Sequence, residues 1–181
     1  CSVNPVVLLP QALEQNAEAI AAGFVGSLTL GVGQFCVNPG VAVAIQSPAL
    51  DRFCGAASAA LAKVPAGVML NEGIAEAYQK GTAHLSAQSG VELVGSGEAV
   101  GDKAGFCTQA KLFKVTAEAF LANPHLQEEV FGHVSVLVSC ADQAQLLAVV
   151  RTLKGQLTGT LQATAAELAT QAELISLLRQ K

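Results

Sequence analysis

The chain has 181 residues, of which 51% are hydrophobic and 13% are charged, and its formal net charge is −4. This composition is sufficient for one domain with a hydrophobic core and is not that of a disordered chain. The basic residues are scattered along the sequence, which argues against nucleic acid or an anionic membrane as a partner. Residues 19–35 form the longest uncharged helical pattern, and they fall short of the roughly 20 apolar residues that a membrane span needs.

The first predicted elements are a short strand and a long helix. Residues 6–9 form an apolar run that ends at Pro10. Apolar residues then recur at the 3.6-residue period of a helix, at positions 13, 17, 20, 21, 24, 25 and 28. Gly31 and Gly33 indicate the end of this helix, because two glycines after a periodic stretch are a stop signal. Cys36 is therefore predicted to lie in the loop that follows.

The middle of the chain continues this alternation. Residues 41–45 predict a buried strand, and Ser47 followed by Pro48 predicts the start of a second helix, with a capping hydroxyl and a proline at the first helical position. A third helix is predicted after Asn71. Residues 91–94 and 111–115 then predict two strands around a glycine-rich connection.

The last third of the chain predicts strands and helices of the same kind. Residues 134–138 form the clearest apolar strand, and Asp142 can cap the helix after it. One more strand is predicted at residues 157–161 and a last amphipathic helix at residues 165–178. Because short apolar strands alternate with helices throughout, we expect an α/β fold with a mostly parallel sheet and helices on both faces.

Five cysteines provide the most reactive side chains, at positions 1, 36, 54, 107 and 140. An odd and widely spaced set predicts reduced thiols in a cytoplasmic protein. Cys54 on an apolar helix face and Cys140 at the end of a hydrophobic strand are expected in the core, and Cys107 is expected to be a surface thiol. Cys36 lies among glycines that leave backbone amides available to an oxyanion. This local pattern fits a nucleophile and a structural loop residue equally well.

The remaining polar residues predict no metal site. No cysteine or histidine stands at the spacing of metal ligands, and His84 and His125 are expected to be surface or locally bonded histidines. Two other functions are compatible with the sequence. Cys36 could serve a cysteine acyl-transfer enzyme with a histidine as base, or the chain could be a non-catalytic assembly module that buries its apolar surface against a partner.

Two motifs in the order expected for one family resolve these alternatives. Residues 33–36, Gly-Gln-Phe-Cys, resemble the active-site cysteine signature of the aldehyde dehydrogenase superfamily. Residues 128–132, Glu-Glu-Val-Phe-Gly, are similar to the Glu-x-Phe-Gly-Pro motif of that family, with His133 in place of the proline. The stretches 2–5 and 36–40 further resemble the branch that oxidises α-ketoglutaric semialdehyde (2,5-dioxovalerate) and fatty aldehydes, although Val37 stands where that branch usually has threonine.

The resemblance implies an activity and a role for three residues. Cys36 would attack a small-molecule aldehyde, either a semialdehyde or a fatty aldehyde, to form a thiohemiacetal. Loss of hydride to NADP or NAD would give a thioester, which water would hydrolyse to the carboxylic acid. Glu129 would hold ribose hydroxyls of the cofactor and Phe131 would pack against it.

The resemblance also implies that residues 1–181 form an incomplete catalytic domain of a homo-oligomeric enzyme. The general-base glutamate of the family would stand just before Cys1. The cofactor-binding domain and the dimerisation strand would also lie outside these residues. We therefore expect these 181 residues alone to be inactive.

Overall fold

The computed structural model describes residues 2–101 and 105–181, so Cys1 lies outside the described residues. The described strands are β1 (Val6–Leu8), β2 (Val41–Ile45), β3 (Gly67–Val68), β4 (Glu92–Ser96), β5 (Cys107–Thr108), β6 (Lys111–Thr116), β7 (Val134–Cys140) and β8 (Thr160–Gln162). The described helices are α1 (Pro10–Thr29), α2 (Pro48–Leu61), α3 (Glu72–Ser86), α4 (Ala117–Ala122), α5 (Gln143–Thr152), α6 (Ala165–Leu168) and α7 (Ala172–Arg179).

Six strands form one sheet in the order β4-β6-β7-β2-β1-β8. Every neighbouring pair is parallel except β4 and β6, which are antiparallel. The short strands β3 and β5 form a separate antiparallel pair. The predicted α/β fold with a mostly parallel sheet is confirmed.

The two faces of the sheet are covered by different helices. On one face, Val7 and Val43 pack in a core with residues of α3, α4, α5 and α7. On the other face, Leu8 and Ala44 pack in a core with α1 and α2. Because successive side chains of a strand point to opposite faces, each central strand contributes to both cores. This arrangement confirms the prediction of helices on both faces.

Three helices begin at the residues that the sequence predicts. Ser47, Asn71 and Asp142 each accept a hydrogen bond on their side-chain oxygen from the backbone N–H three residues later, at 2.9–3.1 Å. These bonds satisfy backbone donors that the first turn of a helix cannot pair internally. They fix where α2, α3 and α5 leave the preceding loops.

The end of the chain differs from the prediction in two places. The single helix expected at residues 165–178 is two helices, α6 and α7, separated by residues 169–171. The strand expected at residues 157–161 begins only at Thr160, because the N–H groups of Leu157 and Thr158 donate to the side chains of Ser2 and Asn4 instead of to a strand.

The expectation of a surface thiol at Cys107 is wrong. Cys107 lies in β5 opposite Val68 of β3, and its side chain is buried with 6% exposure. The glycines near Cys107 in the sequence suggested an exposed loop, but the pairing with β3 covers this residue. Among the described residues, no helix is long and apolar enough to cross a membrane.

Candidate active site

Cys36 lies in an exposed loop between α1 and β2. We call residues 34–40 the Cys36 loop. Its centre is a turn in which the Asn38 N–H donates to the Phe35 carbonyl at 3.1 Å. Cys36 is exposed, and within the described part of the chain its backbone N–H donates to no acceptor. An accessible thiol and an unused amide on the same residue are what attack on a carbonyl and stabilisation of the resulting oxyanion require.

The approach to the Cys36 loop is made by three residues in the left-handed region. Gly31, Val32 and Gly33 have φ values of 56°, 61° and 67°. This conformation is ordinary for glycine and strained for a β-branched residue such as Val32. The Val32 side chain packs against Gly67, where an added β-carbon would lie 2.7 Å from Val32 Cγ2. Contact with β3 therefore holds a strained backbone immediately before the loop.

Gln34, the second residue of the predicted cysteine motif, ties the loop to its surroundings. Its side-chain Oε1 accepts a hydrogen bond from the Leu70 N–H at 2.8 Å, and its Nε2 donates to the Gly31 carbonyl at 3.3 Å. The first bond joins the start of the Cys36 loop to a residue 36 positions away, and the second bond is local. The sequence motif identified Gln34, but it did not indicate Leu70 as the partner.

The structure brings the two predicted motifs into direct contact. Gly33 lies so close to the peptide that joins Gly132 to His133 that a β-carbon on Gly33 would overlap its backbone atoms. Asn38 Nδ2 also donates to the Gly132 carbonyl, at 3.0 Å. The segment that carries Glu129 and Phe131 is therefore packed against the loop that carries Cys36.

Glu129 and Phe131 line a cavity together with Phe35 and Asn38 of the Cys36 loop, although Cys36 itself does not line it. Glu129 is half-buried, and no described residue donates a hydrogen bond to its carboxylate. Phe131 keeps 40% of its surface exposed. An unpaired carboxylate beside an exposed aromatic ring fits a group that offers hydroxyls and a flat apolar surface. The chemistry of these two side chains is therefore compatible with the cofactor role that the resemblance implies.

His133, which replaces the proline of the family motif, holds this segment in place through buried contacts. It is 1% exposed, its Nε2 lies 2.9 Å from Thr108 Oγ1, and its ring packs 5.3 Å from that of Tyr78. Burial lowers the pKa of His133 to about 4. The His133 carbonyl also accepts from the Lys111 N–H at 3.0 Å. The substitution therefore replaces a rigid ring with a buried hydrogen-bonded one.

The other candidate nucleophiles are less suited to reaction. Burial raises the pKa of the Cys54 thiol, which lies half-buried on α2. Burial, followed by the charges of Glu118 and Asp142, raises the pKa of Cys140 to about 12. Both thiols are therefore almost fully protonated near neutral pH.

No histidine is placed to activate Cys36. His84 and His125 are exposed, with their rings 5.5 Å apart, and His125 Nδ1 lies 2.8 Å from Glu128 Oε1. Among the described residues, no hydrogen bond joins a histidine to Cys36, and no group of three or more histidine, cysteine or acidic residues is arranged to hold a metal ion.

The sequence did not identify Asn4 as part of the site. Its side-chain Nδ2 donates to the Cys36 carbonyl at 2.9 Å and to the Asn38 carbonyl at 3.0 Å. Asn4 precedes β1, whereas the Cys36 loop precedes β2. Because β1 and β2 are parallel neighbours, the segments before them lie side by side at the amino-terminal ends of these two strands. No local pattern in the sequence reports a contact across 32 residues.

No protein-family profile matches the chain. It is 50% identical over 180 residues to alpha-ketoglutaric semialdehyde dehydrogenase 2 of Azospirillum brasilense, and 38% identical over 181 residues to alpha-ketoglutaric semialdehyde dehydrogenase of Acinetobacter baylyi. The chain is related to aldehyde dehydrogenases along its whole length. Each match covers 99% of the chain and 34% of the relative, so the chain spans about a third of the length of these curated aldehyde dehydrogenases.

Solved aldehyde dehydrogenases share the fold. The NAD-dependent benzaldehyde dehydrogenase of Corynebacterium glutamicum superposes with a TM-score of 0.72 at 18% identity, over 93% of this chain and 36% of that one. The methylmalonate-semialdehyde dehydrogenase of Oceanimonas doudoroffii superposes with a TM-score of 0.79 at 20% identity, also over 93% and 36%. The two curated relatives confirm the family resemblance inferred from the cysteine motif and the Glu-x-Phe-Gly motif, and the solved structures confirm the fold.

Proposed function

We propose that the protein containing this chain oxidises an aldehyde to a carboxylic acid and that Cys36 is its nucleophile. The substrate is a semialdehyde such as 2,5-dioxovalerate, or a fatty aldehyde. The names of the two curated relatives support the semialdehyde. The contact of Gly33 with the Gly132–His133 peptide carries this proposal, because it sets the Cys36 loop against the segment of Glu129 and Phe131.

Cys36 performs the first chemical step. Its thiolate attacks the carbonyl carbon, a C–S bond forms, and the carbonyl oxygen becomes an oxyanion of the thiohemiacetal. The unused Cys36 N–H donates to this oxyanion. Loss of hydride from the thiohemiacetal carbon leaves a thioester on Cys36, and attack by water releases the acid and restores the thiol.

Glu129 and Phe131 form the cofactor side of the site. Bound NAD or NADP supplies the hydride acceptor. The Glu129 carboxylate, which no described side chain engages, accepts hydrogen bonds from ribose hydroxyls. Phe131, which lines the same cavity, packs against that part of the cofactor.

The chain supplies only part of this machinery. Because it spans about a third of its curated relatives, we propose that residues 1–181 belong to the catalytic domain, and that the general base, the cofactor-binding domain and the dimerisation strand belong to regions outside this match. Residues 1–181 alone are then inactive. The full protein is a homo-oligomer, and its scattered thiols fit the reducing cytoplasm.

The test is oxidation of 2,5-dioxovalerate by the natural-length protein with NADP or NAD. Cys36→Ala should lower kcat by more than about a thousandfold, because it removes the nucleophile. Cys54→Ala is the matched control, since Cys54 lies half-buried on α2, and it should retain activity. Turnover that survives Cys36→Ala would refute the proposal.

Adjacent glutamates test the cofactor side. Glu129→Gln should raise KM for the cofactor by about tenfold, because the amide is a weaker acceptor for hydroxyl groups than the carboxylate. Glu128→Gln is the control, because Glu128 is exposed and bonded to His125. Equal effects of the two substitutions would remove Glu129 from the cofactor site.

A further inference from the structure

We propose that Asn4 is the residue that positions the Cys36 loop for attack on the aldehyde. Its effect on catalysis rests on the proposed function of Cys36, whereas its effect on the loop does not. Asn4 is 3% exposed and lies 32 residues before Cys36 in the sequence. It is not a catalytic residue, because it contacts the carbonyl groups of the loop and not the thiol.

The Asn4 amide group makes two bonds to the Cys36 loop. Asn4 Nδ2 donates one hydrogen bond to the Cys36 carbonyl oxygen at 2.9 Å and another to the Asn38 carbonyl oxygen at 3.0 Å. The Cys36 carbonyl lies within the turn closed by the bond from the Asn38 N–H to the Phe35 carbonyl, and the Asn38 carbonyl follows that turn directly. One buried side chain therefore fixes a peptide group inside the turn that presents the thiol and another at its exit.

The orientation of the Asn4 amide is set by its other atoms. Asn4 Oδ1 accepts hydrogen bonds from the Ser2 hydroxyl at 2.6 Å and from the Thr158 N–H at 3.2 Å. Because the Thr158 N–H can only donate, Oδ1 must face Thr158 and Nδ2 must face the loop carbonyls. Gln156 Oε1 accepts from the Asn4 N–H at 2.9 Å and from the Val3 N–H at 2.6 Å.

The backbone of Asn4 is also fixed. Its φ is 44°, in the left-handed region that asparagine adopts more readily than most residues. The Val3 carbonyl before it accepts from the N–H groups of Gly40 at 2.8 Å and Val41 at 3.1 Å, at the other end of the Cys36 loop. Residues 3 and 4 thus hold the loop at its centre and at its exit.

This arrangement has a consequence for the oxyanion. The Cys36 N–H belongs to the turn whose carbonyls Asn4 holds, so its direction is fixed before substrate arrives. A donor that is already oriented contributes to the transition state without reorganisation. Without the Asn4 amide, the peptide groups of the turn can rotate, and the Cys36 N–H no longer has a fixed direction towards the oxyanion.

Amide hydrogen exchange of the full protein that contains residues 1–181 tests whether Asn4 fixes the Cys36 loop. Asn4→Gly keeps the left-handed backbone and removes both bonds, and Asn4→Asp keeps an acceptor for Thr158 while removing both donors. In both variants the amides of Asn38 and Gly40 should exchange at least about tenfold faster. Unchanged exchange would overturn the proposal. Exchange that rises equally in β7 would also overturn it, because Asn4 would then act on the whole fold.

Asn123→Asp is the matched control. Asn123 Nδ2 donates to Gln88 Oε1 at 2.7 Å and its Oδ1 accepts from the His125 N–H at 3.1 Å. The same isosteric change there removes a structural bond and touches no residue of the Cys36 loop. It should leave the exchange of Asn38 and Gly40 unchanged, and faster exchange of those amides in this variant would overturn the assignment to Asn4.

Kinetics of the same variants test the catalytic consequence. Asn4→Gly should lower kcat for the aldehyde by about tenfold and leave KM for the cofactor within about twofold, because only the attacking group loses its position. An unchanged kcat in an active protein would overturn the positioning role. If the unmodified protein does not oxidise aldehydes, the proposed function fails, and the exchange data alone decide whether Asn4 holds the loop.

Discussion

Gly33 and Gly132 meet backbone to backbone, and neither position has space for a side chain. A β-carbon on Gly33 would overlap the peptide that follows Gly132, and a β-carbon on Gly132 would lie 2.8 Å from Met69 Cε. Both glycines also have positive φ, at 67° and 138°. The two family motifs therefore meet at a junction that only glycine permits.

Gly33→Ala should separate these segments. The new methyl group collides with main-chain atoms that cannot move aside, and the left-handed conformation adds strain, so we expect a loss of about 2–4 kcal/mol in the free energy of unfolding. Urea unfolding measures this loss. Gly26→Ala is the control, because Gly26 lies inside α1 with nothing within 4 Å of an added β-carbon, and it should be neutral or slightly stabilising. Similar effects at both positions would contradict the close contact.

Local signals predicted most of the fold. Ser47, Asn71 and Asp142 cap helices where the sequence indicates, since capping depends on the next three residues alone. The prediction was incomplete where tertiary contacts decide. The two-residue strands β3 and β5 and the six-residue helix α4 are too short to produce a periodic pattern.

The candidate site was predictable only in part. The motif resemblance selected Cys36, Glu129 and Phe131, and their roles remain predictions. Asn4 could not be selected in this way, because its contact with the Cys36 carbonyl depends on the parallel register of β1 and β2. The pairing of His133 with Thr108 across 25 residues likewise arises only after β5 and β7 are in place.

The thiols should differ in reactivity. Cys36 is exposed, whereas burial raises the pKa of Cys54 and raises that of Cys140 to about 12. Since the thiolate is the reactive form, a short iodoacetamide pulse near neutral pH should label Cys36 first and Cys140 last. Mass spectrometry of the peptides gives the three rates. Labelling of Cys54 or Cys140 as fast as Cys36 would show that the Cys36 loop does not present an accessible thiol.

His133 should make stability depend on pH. Its pKa is about 4 in the folded protein and about 6.5 in an unfolded chain, so the unfolded state binds more protons between these values. The contribution of His133 to the free energy of unfolding is therefore fully present above about pH 6.5. It falls by on the order of 3 kcal/mol as the pH decreases towards 4. His133→Gln should remove most of this dependence, as followed by urea unfolding at several pH values. The exposed His84 provides the control, and His84→Gln should leave the dependence in place.

Glu167 should stabilise the protein by capping the start of α1, a helix that is distant from it in sequence. Its buried carboxylate accepts from the N–H groups of Gln11 at 2.7 Å and Ala12 at 3.1 Å, in the first turn of α1, where Leu9 offers no capping side chain. Glu167→Gln sets an amide N–H₂ against one of these donors and removes the charge that favours a helix N-terminus.

We expect Glu167→Gln to cost about 1–2 kcal/mol in the free energy of unfolding, measured by urea or thermal unfolding. Glu76→Gln is the matched surface change, because Glu76 pairs with Lys80 on the exposed side of α3 and such pairs contribute little. Equal costs for the two substitutions would mean that the carboxylate of Glu167 does not cap α1, and that the start of α1 is held by the packing of β1 against its neighbours alone.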